Sequence, residues 1–125
     1  MNKQLIFIGL VFIFSCKTPS SLIEDRASLK EYAYCKCVEH SVKDTTFTNN
    51  DISLFVYRET SNYPMYVFDS IDVVARMAAE KIKPSIIEDY NGKRALMKDC
   101  FRFANSKELE AIIIKKDKDR QSDKR

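Results

Sequence analysis

Cysteines are the residues of this chain with the greatest potential for chemistry. The sequence contains four, and two of them, Cys35 and Cys37, are separated by a single residue in the stretch YCKC. Such a pair can contribute to a metal site, form a redox centre, or serve two separate purposes. The choice depends on the compartment in which the chain resides and on the elements that carry the cysteines.

The first sixteen residues, MNKQLIFIGLVFIFSC, are typical of a signal peptide. A single Lys3 precedes an uncharged apolar run from Leu5 to Phe14. This run is too short to span a bilayer, which needs about 20 residues, but it fits the apolar region of a secretory signal. We predict a signal peptide over residues 1–15 and export to the periplasm.

Cys16 is a candidate for lipidation. IFSC resembles a bacterial lipobox, in which the cysteine is acylated and becomes the mature N-terminus, and Phe14 is bulkier than the usual residue. We predict a lipidated tether over residues 16–21. No aspartate follows Cys16, so we expect an anchor in the outer membrane. The alternative is an ordinary signal peptide with an incidental cysteine.

Other chemical centres find little support. His40 is the only histidine, and the mature chain retains one glycine, Gly92, so a glycine-rich phosphate loop cannot be built. No nucleophile-elbow pattern occurs, and Glu88 and Asp89 are neighbours without a facing acid. We therefore predict a protein that is not an enzyme and that needs no metal ion or cofactor.

Charge is spread evenly along the chain. The formal net charge is +3, and the final ten residues, KDKDRQSDKR, hold five basic and three acidic side chains. A nucleic-acid interface would cluster lysines and arginines on one face, so we predict no nucleic-acid partner. The composition of residues 116–125 predicts a charged, disordered tail.

Two helices are predicted in the first half of the mature chain. Ser21 with Glu24, and Ser28 with Glu31, have the spacing of capping boxes, so a first helix begins at one of them and ends near Val42. KDTTFTNN should then break the helix. A short second helix, capped by Asn50 or Asp51, would place three apolar residues on one face: Ile52, Phe55 and Val56. ISLFVY is equally compatible with a strand.

The second half predicts three further helical segments. Pro64 suits the first turn of a central helix, which Pro84 ends, with inward residues Val67, Ile71, Val74, Ala78 and Ile82. A helix over residues 93–104 should bury Leu96, Met97, Cys100, Phe101 and Ala104. A last one begins at Asn105 and buries Leu109, Ile112 and Ile113. We predict an all-α fold, a compact bundle of four to five helices over residues 22–115.

Helical geometry separates the two neighbouring cysteines. Residues two apart on a helix differ by about 200° in direction, so Cys35 and Cys37 cannot converge on one metal ion. The neighbours of Cys37 one turn away are Ala33 and Ser41, whereas those of Cys35 are glutamates. Cys37 should therefore face inward, and the expected disulfide joins it to Cys100. Closing a loop of roughly 60 residues contributes about 4 kcal/mol in the loop-entropy model.

Three stretches together resemble a known family. EYAYCKCVEHSVKD, NYPMYVFDSIDVVARM and LMKDCFRFANSKELEAIIIKK are similar in order and spacing to the type VI secretion amidase immunity proteins of the fourth family. The resemblance covers about Tyr32 to Lys115. It implies a small, helical, periplasmic protein that is usually a homodimer and blocks an amidase that cleaves peptidoglycan stem peptides with a catalytic cysteine and histidine.

The resemblance also bears on the cysteines. It implies that the family's paired cysteines correspond to Cys37 and Cys100, in agreement with the expected bridge. Cys35 and the lipid anchor at Cys16 are departures from the family's pattern. Cys35 offers a second possible partner for the disulfide, and the lipid anchor would change the location of the protein more than its activity.

The segment KPSIIEDYNG, residues 83–92, is the candidate inhibitory loop. An inhibitor that occludes a cleft needs a projecting segment on a rigid scaffold, and this segment carries Glu88, Asp89 and Tyr90. A carboxylate can approach the amidase histidine, and tyrosine is enriched at binding hot spots. In the alternative interpretation, Ile86 and Ile87 fold back over the core.

Tyr63, beside Pro64, is a further candidate contact with the partner, and its alternative role is packing. The resemblance, together with this loop, predicts an immunity protein that binds and inhibits a peptidoglycan amidase effector by occluding its active-site cleft. The alternative is a non-catalytic helical envelope lipoprotein with a structural or scaffolding role.

Overall fold

Helices form the regular structure of residues 20–123, the part of the chain that the computed structural model describes. The order is α1 Ser20–Ser41, α2 Thr45–Asn50, α3 Ser53–Thr60, α4 Met65–Glu80, a 3-10 turn Glu88–Tyr90, α5 Leu96–Ala104 and α6 Lys107–Ser122. No strand occurs among these residues, which confirms the all-α prediction. The predicted signal peptide and Cys16 lie outside the described residues.

Helix α1 is the centre of the bundle. It packs most extensively against α4 and α5, and also contacts α3 and α6. Near its middle, the ring of Tyr32 meets that of Phe68 edge-on, with the ring centroids 4.9 Å apart. The first of two groups of buried residues surrounds this pair and includes Leu29, Ala33, Val67, Ile71, Leu109 and Ile113.

A second buried group lies toward the C-terminal end of α1. It contains the disulfide between Cys37 and Cys100, together with Val38, Ala75, Ala79 and Ile82. The bridge joins α1 to α5 across 63 residues of sequence, with the Cα atoms 5.5 Å apart. The expected pairing is confirmed, and this end of the bundle is thereby fixed covalently.

Local capping explains why residues 20–123 form six helices rather than the four or five predicted. KDTTFTNN, expected to break the chain between helices, contains the short α2 instead. The Asp44 carboxylate accepts a hydrogen bond from the backbone N–H of Thr46 at 2.9 Å, which satisfies a free donor at the helix start. Asp51 does the same for Ser53 at 3.0 Å, just inside α3.

The predicted inward face of the second helix is wrong. Three apolar residues that were expected to be buried are exposed: Ile52, Phe55 and Val56. Leu54 and Tyr57 of α3 pack against the core instead. The Arg58 guanidinium donates a 2.7 Å hydrogen bond to the Tyr32 hydroxyl. This contact turns the other side of α3 toward α1.

The predicted burial on α5 is correct only in part. Cys100 and Ala104 are buried and Leu96 is half-buried, but Met97 and Phe101 are each 64% exposed. The disulfide orients the face of α5 that carries Cys100 toward α1. Met97 and Phe101, which lie about 60° to 100° around the helix from Cys100, are left at the surface.

The charged tail is helical rather than disordered as far as Ser122, because α6 continues to that residue. Asp117, within this segment, is only 1% exposed. Its carboxylate pairs with the guanidinium of Arg26 and accepts a hydrogen bond from the hydroxyl of Tyr63. Composition alone suggested a solvated end, but these partners from α1 and the turn before α4 hold the helix in place.

Candidate functional site

Residues 83–92 lie within the connection between α4 and α5, which covers residues 81–95 because the helix predicted over residues 93–104 begins only at Leu96. The backbone N–H of Ser85 donates to the carbonyl of Lys93 at 2.7 Å and closes the base of the loop. Within it, the N–H of Tyr90 donates to Ile87 at 2.9 Å and forms the 3-10 turn. Gly92 has a φ of 78°, a conformation that favours glycine, and it returns the chain toward α5.

The side chains of this loop point into solvent. Ile86 is 99% exposed, and Ile87 and Tyr90 are also more than half exposed. Glu88 and Asp89 are exposed as well. The interpretation in which the two isoleucines cover the core is therefore wrong, and the loop presents two aliphatic residues, two carboxylates and one aromatic ring together.

Both ends of the loop are attached to the rigid part of the bundle. Ile82 is buried beside the disulfide group, and the Arg94 guanidinium donates a 2.8 Å hydrogen bond to the carbonyl of Ser41 at the end of α1. The Lys93 ammonium lies 5.7 Å from the ring centroid of Tyr90, which is cation–π distance. The loop thus projects from a fixed base at the end of the bundle.

Tyr63 lies in the core, away from the loop. It is only 5% exposed, and its hydroxyl donates a 2.7 Å hydrogen bond to Asp117. Burial and the neighbouring Asp117 carboxylate raise the pKa of Tyr63 well above its ordinary value. Its side chain therefore has the packing role that the sequence left open, and little of it is available to a partner.

Cys35 is the one free cysteine among residues 20–123. It is half-buried on the side of α1 opposite to Cys37, as the helical geometry predicts. Burial and the nearby carboxylates of Asp51 and Glu31 raise the pKa of its thiol, so the less reactive protonated form is favoured.

An ion-pair cluster that sequence reasoning missed joins α1 to α4. The Asp72 carboxylate contacts the Nε2 of His40 at 2.8 Å and the ammonium of Lys36 at 3.0 Å, and Lys36 also pairs with Glu39. Partial burial alone would raise the pKa of Asp72, but the hydrogen bonds from His40 and Lys36 hold it below its usual value. The sequence signal for this cluster was that Glu39 and His40 follow Lys36 by three and four residues, which places all three on one face of α1.

The same cluster brings three possible metal-ligand atoms, from Glu39, His40 and Asp72, within 4.8 Å of one another. The Lys36 ammonium lies between the Glu39 and Asp72 carboxylates and pairs with both. Partial burial of Lys36 opposes its charge, yet the bonds to Glu39 and Asp72 raise its pKa. These side chains satisfy one another, and the arrangement is that of a structural bridge between two helices.

Among the helices of residues 20–123, none combines the length and apolar character needed to cross a membrane.

Comparison with known families agrees with this architecture. The model of the Tai4 family, described as type VI secretion system (T6SS) amidase immunity protein, matches residues 27–113. The match covers most of the chain and includes the disulfide and the whole loop between α4 and α5. The chain therefore belongs to the T6SS amidase immunity protein family. No curated protein and no solved structure matches it significantly.

Proposed function

We propose that this chain protects against a T6SS effector by inserting residues 83–92 into the active-site cleft of a peptidoglycan amidase. The observation that carries the proposal is the full exposure of Ile86 on a loop whose base is held by hydrogen bonds. Exposed apolar residues on an ordered projection favour binding, because burying them against a partner removes their surface from water.

The loop offers contacts of three kinds. Ile86 and Ile87 supply apolar surface, Tyr90 supplies an aromatic anchor, and Glu88 and Asp89 supply carboxylates. The resemblance implies an amidase with a catalytic cysteine and histidine, and a carboxylate that reaches the histidine would form a charge-assisted hydrogen bond with its protonated ring. Inhibition of this kind requires occlusion only, and no catalysis by the immunity protein.

Order within the loop lowers the cost of binding. Two backbone hydrogen bonds restrict the loop before any partner arrives. One joins Ser85 to Lys93, and the other joins Tyr90 to Ile87 within the 3-10 turn. A flexible loop would lose this freedom only on binding, at a cost in free energy. Preorganisation therefore favours tight inhibition by a small surface.

The proposed location is the periplasm, with a lipid at Cys16 and a homodimer as the assembly. Ser20 lies at the opposite end of α1 from Ser41, to which the base of the loop is bonded. A helix of 22 residues is about 33 Å long. An anchor that precedes α1 would thus leave the loop at the far end of the bundle, where a soluble amidase can reach it.

Binding measurements with matched variants test the proposal. In the first, Glu88, Asp89 and Tyr90 are replaced by alanine. In the second, the same residue types are replaced on the exposed side of α4: Tyr66→Ala, Asp69→Ala and Glu80→Ala. Affinities for purified fourth-family amidases, and thermal unfolding, are measured for the parent and both variants.

We expect the loop variant to bind its amidase at least a hundredfold more weakly, because the loss of an aromatic anchor and a charged contact costs about 3 kcal/mol or more. The α4 variant should bind as the parent does, and both should unfold near the parental temperature. If amidase binding were weakened equally in the two variants, or in the α4 variant alone, the inhibitory surface would not be the loop.

A further inference from the structure

We propose that this chain rests on an anionic phospholipid surface through the end of the bundle at which α1 begins. The membrane-facing surface consists of five side chains: Met65, Tyr66, Lys115, Lys116 and Lys118. This contact goes beyond the inhibition of an amidase, because it orients the bundle on a membrane. It rests on the proposed periplasmic location, and it does not require a lipid at Cys16.

The last turns of α6 lie beside the first turns of α1. Arg26 of α1 pairs there with Asp117 of α6. Further along α1, Lys30 lies 3.5 Å from Glu110, which precedes Asp117 on α6, so the two helices run antiparallel. The end of α6 and the start of α1 therefore meet at one end of the bundle. The base of the loop of residues 83–92 is bonded to the other end of α1.

The last turns of α6 are basic at their surface. Residues 115–125, KKDKDRQSDKR, hold six basic and three acidic side chains. One of the acids, Asp117, is buried and paired with a cation of α1, so its charge is not presented to a partner. Lys115 and Lys118 are exposed and form no ion pair within residues 20–123. Lysines placed in this way are attracted to the negative surface of anionic lipids.

Apolar side chains at the start of α4 adjoin these lysines. Met65 is 54% exposed and Tyr66 is 43% exposed. The ammonium of Lys116 lies 5.7 Å from the centroid of the Tyr66 ring, so the apolar and the basic parts of the surface are in contact. Tyrosine rings are favoured at the level of lipid headgroups. Exposed apolar side chains beside lysines therefore fit a lipid surface, to which both kinds of residue contribute affinity.

The short connection to Cys16 leads from the same end of the bundle. Ser20, the first residue of α1, follows Cys16 by four residues. Four residues span at most about 14 Å. A lipid at Cys16 would hold the start of α1 within this distance of a bilayer, but it would leave the tilt of the bundle free. Contact through the membrane-facing surface fixes the tilt and directs the loop of residues 83–92 away from the membrane.

Vesicle binding by the Cys16→Ala form tests this surface without any lipid anchor. The protein is sedimented with vesicles of phosphatidylcholine alone and with vesicles that also contain phosphatidylglycerol. We expect its partition coefficient to be about tenfold higher or more with the phosphatidylglycerol vesicles, and to fall as salt is added, because salt screens the attraction. Equal partition onto the two kinds of vesicle would overturn the proposal.

Two matched charge variants locate the contact. One carries Lys115→Glu and Lys118→Glu on the membrane-facing surface. The other carries Lys81→Glu and Lys98→Glu, two exposed lysines at the end of α4 and the start of α5. Both variants change the net charge equally, but only the first should lose about tenfold or more in partition onto phosphatidylglycerol vesicles. Equal losses would show attraction by overall charge and would overturn the proposal.

A fluorophore reports the orientation of the bundle. A polarity-sensitive dye is attached to the new cysteine of Met65→Cys or of Lys81→Cys, each in a Cys35→Ser background. On phosphatidylglycerol vesicles, the emission should shift to shorter wavelength for Met65→Cys and stay unchanged for Lys81→Cys. A shift for Lys81→Cys, or none for Met65→Cys, would overturn the proposal.

Amidase affinity in solution separates this contact from the inhibitory loop. The variant with Lys115→Glu and Lys118→Glu should bind an amidase as the parent does, because the loop of residues 83–92 lies at the other end of the bundle. A parent that binds its amidase but no vesicles would overturn the membrane contact alone. A parent that binds vesicles but no amidase would overturn the proposed inhibition alone.

Discussion

The hydroxyl of Tyr63 donates a 2.7 Å hydrogen bond to the carboxylate of Asp117, 54 residues further along the chain. Asp117 also pairs with Arg26, and the guanidinium of Arg120 lies 4.5 Å from the centroid of the Tyr63 ring. These contacts join the start of α1, the turn before α4 and the last part of α6. They close the end of the bundle that lies opposite to the disulfide.

Tyr63→Phe should destabilise the fold while leaving inhibition intact. A hydrogen bond to a charged group contributes about 1.5–3 kcal/mol, and the variant removes one without changing the shape of the ring. Urea unfolding should show this loss, and amidase affinity should remain parental because Tyr63 is buried. If the variant were as stable as the parent but bound the amidase much more weakly, Tyr63 would be part of the binding surface.

Deletion of residues 116–125 extends the same argument. It removes Asp117 and leaves Arg26 and Tyr63 without their buried acceptor, so the free energy of unfolding should fall by more than in Tyr63→Phe. Unchanged stability after deletion would agree with a dispensable tail and contradict the role of this network.

The disulfide should account for a large share of stability. Replacing Cys37 and Cys100 together by alanine should lower the free energy of unfolding by about 4 kcal/mol, because the bridge closes a loop across 63 residues. Cys35→Ala is the matched control and should have little effect. Non-reducing peptide mapping provides an independent check, and a Cys35–Cys100 bridge would contradict the structure.

The cluster around Asp72 predicts a dependence on pH. The pKa of Asp72 is lower in the folded chain than in the unfolded chain, so its ionised form stabilises the fold above the unfolded pKa of about 4. This contribution is lost as the pH falls through the lower, folded value.

Asp72→Asn should therefore be less stable than the parent at pH 7, and the difference should shrink toward pH 2.5. Asp69→Asn is the control, because Asp69 is exposed on the same helix and makes no ion pair among residues 20–123. Urea unfolding at both pH values measures the effect. A difference that stays constant with pH would show that Asp72 does not stabilise the fold through its charge.

The proposed anchor at Cys16 has its own test. Cys16→Ala should release a soluble periplasmic form that still binds its amidase, because the loop and its supports lie within residues 20–123. Membrane fractionation and metabolic labelling with a fatty acid follow the change. If the parent incorporates no label and both forms fractionate alike, the chain has no lipid anchor.

Much of the fold was predictable because its signals are local. The apolar spacing after Pro64 predicted α4, and the neighbours of Cys37 predicted which cysteine faces inward. Which side of α3 faces the core was not predictable, because this helix of eight residues carries apolar side chains on all sides. The contact of Arg58 with Tyr32 decides its orientation. The helical tail depends on Arg26, 91 residues away from Asp117.

The candidate loop was predictable in its position but not in its full length or its exposure, because the helix expected from Lys93 begins only at Leu96. Pro84 and the Asn91–Gly92 pair set its limits, and Gly92 adopts the positive φ that such a turn requires. Ile86 and Ile87 are apolar residues of the kind that is usually buried, so sequence could not decide between core and surface. In the structure both side chains are exposed, and the hydrogen bond between Ser85 and Lys93 closes the base of the segment that carries them.

Protection of cells against an amidase delivered to their periplasm tests the central claim most directly. Cells that express the parent, the Glu88→Ala/Asp89→Ala/Tyr90→Ala variant, or the α4 control variant at equal levels are challenged with a cognate fourth-family amidase, and lysis is followed. We predict survival with the parent and the control and lysis with the loop variant. Full protection by the loop variant would contradict inhibition through residues 83–92.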